Sequence, residues 1–181
     1  LVGSEMCIRD RNKAAENVTE TLLKHKSVEL VGLGARDSLR LEAGLCLYGQ
    51  DIDTKTSPVA AGLKWAMHKS RLSEGQKEES FPGANIILSE IENGSEYKFA
   101  GFVPLGKAPI RTDTQLFDNG TLSVPIGRIT SGLFSPTQKH PIAVGYIKSE
   151  FSHLGSRVNA QVRGKLLEIE VTSLPFVKKN F

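Results

Sequence analysis

Hydrophobic and polar positions divide the chain into a helix-rich first part and a second part with a period of two. In Asn12–His25, Val18 and Leu22 fall at helical spacing, with Lys24 and His25 in the last turn, which predicts a helix. Val28–Val31 is a short apolar run that predicts a buried strand leading to Gly32. From Gly32 to Gly49, glycines bracket a segment of good helix formers. Asp37 and Ser38 are N-terminal capping types, and Gly44 suits the left-handed residue that ends a helix. Leu39 and Ala43 then share one helical face, and Arg36 and Arg40 another. Leu45–Tyr48 reads as extended and Gln50–Ser57 as a polar loop. Pro58 opens a short helix to Leu63, and Lys64–His68 alternates like a strand.

Lys69–Ser80 is polar and predicts a surface loop and a boundary. Phe81-Pro82-Gly83 starts a helix, Ala84–Ile91, which Asn93-Gly94 ends. The period then changes. Tyr97–Leu105, Pro109–Thr112, Thr114–Phe117, Pro125–Ser131, Ile142–Ile147, Arg157–Val162 and Lys165–Leu174 all read as extended. Arg163-Gly164-Lys165 is a turn that makes the last two a hairpin. Many short strands with Gly and Pro punctuation predict a small antiparallel barrel, so the fold class is α+β.

Composition narrows the functional classes. A chain of 181 residues suits one domain or two small ones, and 39% hydrophobic residues suffice for a core. A net charge of +3 permits an anionic ligand or an acidic partner. The strands lack the clustered Lys and Arg with interleaved aromatics that nucleic acid requires, and none is expected. No apolar run approaches the ~20 residues of a membrane span. Cys7 and Cys46 are too few for a disulfide framework or a zinc site, and the four histidines are scattered. Cys46, among apolar residues, reads as an inert buried thiol, and Tyr48 and Trp65 read as core aromatics. Arg36 and Arg40, one turn apart, repel each other. The pair points either to an anionic partner or to a solvated face braced by Asp37 and Glu42.

The segment Gly34–Gly44 (GARDSLRLEAG) resembles the aminomethyltransferase, or T-protein, of the glycine cleavage system. The resemblance continues through Leu47-Tyr48-Gly49, Ser57-Pro58-Val59, Ala61–Trp65 and Phe81–Ala84. It resumes at Ile129–Pro136 and Pro141–Tyr146 and closes with Pro175-Phe176-Val177. It implies that residues 12–80 end an α/β folate-binding domain, that 81–174 form the C-terminal β-barrel with a leading helix, and that 175–181 return to the folate site. Residues 1–11 instead resemble a translated sequencing-adapter read-through and are expected to be non-native. The missing start Met points to the tail of a longer protein.

By the same resemblance, the substrate is tetrahydrofolate and the partner is the lipoyl-bearing H-protein. The setting is cytoplasmic in a bacterium and the mitochondrial matrix in a eukaryote. Arg36 stands where the family's arginine contacts folate, and a guanidinium offers its planar fork to a carboxylate or pterin acceptor. Phe181 stands at the offset of an aromatic, often Tyr, near the folate; Phe can stack on a ring but cannot donate a hydrogen bond. Arg40, Asp37, Ser38 and Glu42 are expected to be structural. The family's catalytic Asp and a folate-contacting Glu belong to upstream segments not represented here, so no catalytic residue is assigned and the chain alone is expected to be inactive. Two alternatives stay open: the folate-binding tail of a sarcosine or dimethylglycine dehydrogenase, and a non-catalytic folate-binding relative.

Overall fold

Alternating burial from Tyr97 onward closes six strands into an antiparallel barrel in the computed structural model, which describes residues 12–72, 75, 80–119 and 124–178. The strands are β1 (Tyr97–Pro104), β2 (Gln115–Phe117), β3 (Pro125–Ser135), β4 (His140–Lys148), β5 (Arg157–Val162) and β6 (Lys165–Thr172). Their order around the barrel is β1-β4-β3-β2-β5-β6, and β6 pairs back onto β1. Closure removes the free edges that an open sheet would leave. Phe102, Ile129, Ile147 and Ile169 are among the residues that fill the interior.

The β5–β6 hairpin turns on Arg163 and Gly164, both at positive φ (50° and 75°). The turn expected at Arg163-Gly164-Lys165 is thus present but shorter, a twist-matched two-residue turn with Lys165 already paired to Val162. Pro109–Thr112, expected to be extended, forms no strand among the described residues. At Gly145 on β4, an added Cβ would lie 2.2 Å from the Arg128 carbonyl oxygen on β3. Backbone cannot retreat there without opening the ladder. Gly145→Ala is therefore expected to destabilise the chain by about 3 kcal/mol, read by urea denaturation; a loss near zero would show that the barrel wall yields.

The helices are α1 (Asn12–Leu23), α2 (Leu33–Glu42) and α3 (Ala84–Asn93). No helix among the described residues is long and apolar enough to cross a membrane. The chain packs as two compact units, Leu1–Arg36 and Asp37–Phe181. The first holds α1, whose Val18 and Leu22 are exposed despite their helical spacing. Val28–Val31 is not the buried strand expected: it has no partner strand among the described residues, and Leu30 and Val31 are exposed. An apolar run becomes a strand only where another chain segment offers its N–H and C=O groups. The segment Leu1–Arg11, expected to be non-native, lies outside the described residues.

In the second unit β4 is buried on both faces, and the reason is α2. Leu41 of α2 is fully buried against Ile142 and Val144 on the outside of the barrel, with Leu174 and Phe176 packed beside them. The helix ends as its sequence predicted: Gly44 sits at φ +68°, and the Gly44 and Leu45 amides donate to Leu41 and Arg40 carbonyls. Its start differs. The Gly32 carbonyl accepts from the Ala35 and Arg36 amides, so the helix begins four residues before the expected capping pair Asp37-Ser38. Lys64–His68, expected as a strand, begins as a single 3-10 turn at Lys64–Ala66, and Pro58–Leu63 is a series of turns. Trp65 is 79% exposed and Tyr48 69%, so neither is the core aromatic expected. Single-residue spacing does not tell a buried aromatic from a surface one.

Candidate functional site

Arg40 of α2 reaches into the wall of the barrel. Its Nε donates to Asp37 at 2.8 Å, one Nη to the Asp51 carboxylate, and the other Nη to the Ser131 hydroxyl on β3 at 2.8 Å. The Asp51 side chain has no solvent exposure. Besides Arg40, its carboxylate accepts from the Leu47 amide at 2.8 Å and from the Thr130 and Ser131 hydroxyls at 2.6 Å each. Both oxygens are thereby occupied, as a buried ionised carboxylate requires. The pair bolts α2 and the loop after it to β3.

Two residues on, Glu42 makes a second fastening. Its carboxylate accepts from the Ser135 hydroxyl, from the Thr137 amide at 3.0 Å and from the Thr137 hydroxyl at 2.9 Å, which captures the β3–β4 turn. Burial alone would raise the Glu42 carboxyl above the ordinary range, but the hydrogen bonds from Ser135 and Thr137 outweigh it and hold the group below. The main chain of Glu42 also takes part, because its carbonyl accepts from the Val177 amide at 3.0 Å. The Gln138 side-chain amide donates to the Phe176 carbonyl. The tail Pro175–Val177 is thus pinned beside the C-terminal end of α2.

The expected structural roles of Arg40 and Glu42 agree with these contacts. Glu42 does not brace the arginines, however; Asp37 and Asp51 hold Arg40. In the sequence Asp51 is legible only as part of a polar loop. A single acid among Gln50–Ser57 looks like any solvated carboxylate, and only the fold brings it under Thr130-Ser131. Arg36 lies on α2, is exposed, and has no hydrogen bond or ion pair from its guanidinium to a described residue. Phe181 lies outside the described residues. Burial pushes the Cys46 thiol up, so it stays protonated and unreactive at neutral pH, as its apolar setting suggested. No group of three or more His, Cys, Asp or Glu side chains among the described residues is placed to hold a metal ion.

The second unit also contains a cavity of about 800 Å³ against the outer wall of the barrel. Tyr97, Arg128 and Tyr146 line the barrel side, and Asp53, Ile86 and Glu90 the other.

A closed six-strand antiparallel barrel, with a helix fastened to its outside by an Arg–Asp pair and a tail folded back on that helix, defines the class of protein as a small β-barrel with flanking helices. Residues 98–178 match the glycine cleavage T-protein C-terminal barrel domain, and residues 3–71 match the GCVT N-terminal domain. The chain belongs to the glycine cleavage T-protein family. It is 45% identical over 154 residues to the mitochondrial aminomethyltransferase of Pisum sativum, covering 85% of this chain and 36% of that protein. Against the mitochondrial aminomethyltransferase of Solanum tuberosum it is 42% identical over 181 residues, covering 99% and 42%. The crystal structure of glycine cleavage system aminomethyltransferase T from Bartonella henselae superposes with a TM-score of 0.80 at 41% identity, covering 91% of this chain and 44% of that one. The chain therefore spans less than half the length of these relatives.

Proposed function

We propose that this chain is the folate-binding and barrel portion of an aminomethyltransferase. In that reading the whole enzyme takes the aminomethyl group carried on the lipoyl arm of H-protein, passes its one-carbon unit to tetrahydrofolate, and releases ammonia. The relatives' names support the enzyme class, and a mitochondrial setting follows if the source is a eukaryote. The chemistry demands positioning: the folate nitrogen must meet the aminomethyl carbon away from bulk water. The observation that carries the reading is the motif Gly34–Gly44 on α2, with its barrel and tail partners in family order.

Arg36 is the proposed folate contact. It is a permanently charged donor with no described partner, whereas its neighbour Arg40 is fully engaged. Phe181 is the proposed stacking residue at the end of the tail that Glu42 and Gln138 pin. Equilibrium binding of tetrahydrofolate to the chain and to Arg36→Ala tests this. The variant is expected to lose about tenfold or more in affinity, the worth of one charge-assisted contact, with unchanged thermal unfolding. Equal affinity for the two proteins would remove Arg36 from the site. In an assay with H-protein and tetrahydrofolate the chain alone is expected to show no turnover, and ordinary turnover would refute the assignment of catalysis to segments outside it.

A further inference from the structure

The two most exposed large hydrophobic side chains among the described residues are Trp65 at 79% and Leu30 at 78%, and Val31 stands at 71%. All three fall in stretches whose residue pattern predicts a strand, Val28–Val31 and Lys64–His68. From Tyr97 onward, all but one of the stretches that read as extended pair in the barrel. Before Tyr97 these two do not.

In the first unit, Glu29, Leu30 and Val31 have no backbone hydrogen bond to a described residue. Main-chain N–H and C=O groups must be paired once they leave water, and pairing these requires another segment. Leu30 and Val31 are chain neighbours, so an extended backbone points them to opposite sides. Both sides are then apolar, which marks a strand covered on both faces. Helices stand directly before and after it, with α1 ending at Leu23 and α2 starting at Leu33. Helix–strand–helix order belongs to a helix-covered sheet. In the second unit Trp65 sits on a 3-10 turn that the Met67 amide closes on the Lys64 carbonyl at 3.1 Å. Its ring is therefore presented on a fixed turn.

Two findings name what covers them. Both stretches lie inside residues 3–71, which match the GCVT N-terminal domain, and outside the barrel match at 98–178. The relatives also carry more than half of their length beyond the part this chain matches. A second copy of the chain would pair one edge of Val28–Val31 and leave the other open.

We propose that Val28–Val31 is an inner strand of the N-terminal domain whose neighbouring strands lie outside this chain, and that Trp65 is likewise covered by residues outside it. The partner is defined by its chemistry: an extended segment with free N–H and C=O groups along one edge and apolar side chains on both faces. The inference rests on the reading of the chain as a portion of a longer enzyme and not on the folate contacts.

The test adds the portion of the Pisum sativum aminomethyltransferase outside its 154-residue match to the 181-residue chain. Neither tetrahydrofolate nor H-protein is present, so failure strikes this inference and leaves Arg36 to its own binding measurement. Trp65 is the single tryptophan of the chain, and fluorotryptophan incorporated there reports solvent contact through the isotope shift of its fluorine signal. An equimolar complex is expected. In it the Trp65 isotope shift is lost, the Leu30 and Val31 amides exchange at least about tenfold more slowly, and the β4 amides keep their rates. Leu30→Ser, exposed in the free chain, is expected to leave unfolding unchanged and to weaken the complex about tenfold or more. A single polypeptide joining the same portion to residues 12–181 covers the case in which the separate portion does not fold; hydrogen exchange at 28–31 is its readout. Three results would each overturn the proposal. One is fast exchange at Leu30 and Val31 in the joined protein. Another is a Trp65 signal as exposed in the complex as in the free chain. The third is protection that appears in the chain alone and grows with its concentration, which assigns the faces to a second copy.

Discussion

Asp51→Ala is expected to cost about 3–5 kcal/mol of unfolding free energy, the largest loss from any single side chain discussed for this protein. The reason is what the variant leaves behind. Arg40 is nearly buried and always charged, and without Asp51 its guanidinium keeps only Asp37, the Leu45 carbonyl and the Ser131 hydroxyl. The Leu47 amide and the Ser131 hydroxyl lose their acceptor at the same time, and the Thr130 hydroxyl is left with the Val144 carbonyl at 3.3 Å. Leaving a charge uncompensated in a buried setting costs more than the pair ever contributed, because desolvation of the remaining ion is no longer offset. The double variant Arg40→Met/Asp51→Leu is therefore expected to be more stable than Asp51→Ala alone, since it removes both ions and restores apolar contact. Urea denaturation of the three proteins decides the matter. A loss below about 1 kcal/mol for Asp51→Ala, the range of an exposed pair, would mean that water reaches Arg40 and that the fastening of α2 to β3 is not a buried one.

Glu42→Ala is expected to cost about 3 kcal/mol at neutral pH, and the cost should shrink in acid. The carboxylate of Glu42 holds the Ser135 hydroxyl and both the amide and hydroxyl of Thr137. Its folded-state pKa lies below the ordinary 4.5, with burial opposing and the three hydrogen bonds prevailing. A lowered folded-state value means that the unfolded chain binds the proton more readily. The stabilisation is then fully present above about pH 4.5 and is lost as pH falls through the folded-state value. Unfolding curves at pH 7 and pH 3 for the wild-type and variant chains measure this directly. The gap between them should be wider at pH 7 than at pH 3. An equal gap at both would assign the loss to packing rather than to the charged acceptor. Because the Glu42 side chain holds the β3–β4 turn from which Gln138 reaches the Phe176 carbonyl, the variant is also expected to loosen Pro175–Val177, visible as faster amide exchange at Val177.

Both fastenings lie in stretches whose local structure was legible and whose partners were not. The helix was legible in Gly34–Gly44, and so was its end at Gly44, since only a residue without Cβ takes that backbone readily. Here the fold adds a second demand: an added Cβ at Gly44 would sit 2.9 Å from the Leu174 Cβ, so the position must also stay small to admit the tail. Arg40 could be read as structural from its helix, but its true partner is eleven residues away in a loop without periodicity. The helix start is not legible because Asp37 and Ser38 are capping types that also serve mid-helix. Asp37 there pairs with Arg40 instead of capping. The exposure of Trp65 and Tyr48 is not legible for a related reason: aromatic character predicts burial on average, and whether a given ring is covered depends on what packs over it.

Taken alone, the order of residues determined the change from helical to two-residue periodicity, the barrel, the Arg163-Gly164 turn, the Gly44 stop and the family motifs. Each of these rests on spacing or on the backbone preference of one or two residues, quantities local to the chain. Only tertiary structure decided that Asp51 lies under Thr130 and Ser131 and that Glu42 grips the β3–β4 turn. Those facts depend on residues about eighty or more positions apart meeting across a barrel wall. No local pattern encodes such a meeting, because a carboxylate in a loop has the same sequence appearance whether water or a buried guanidinium waits for it.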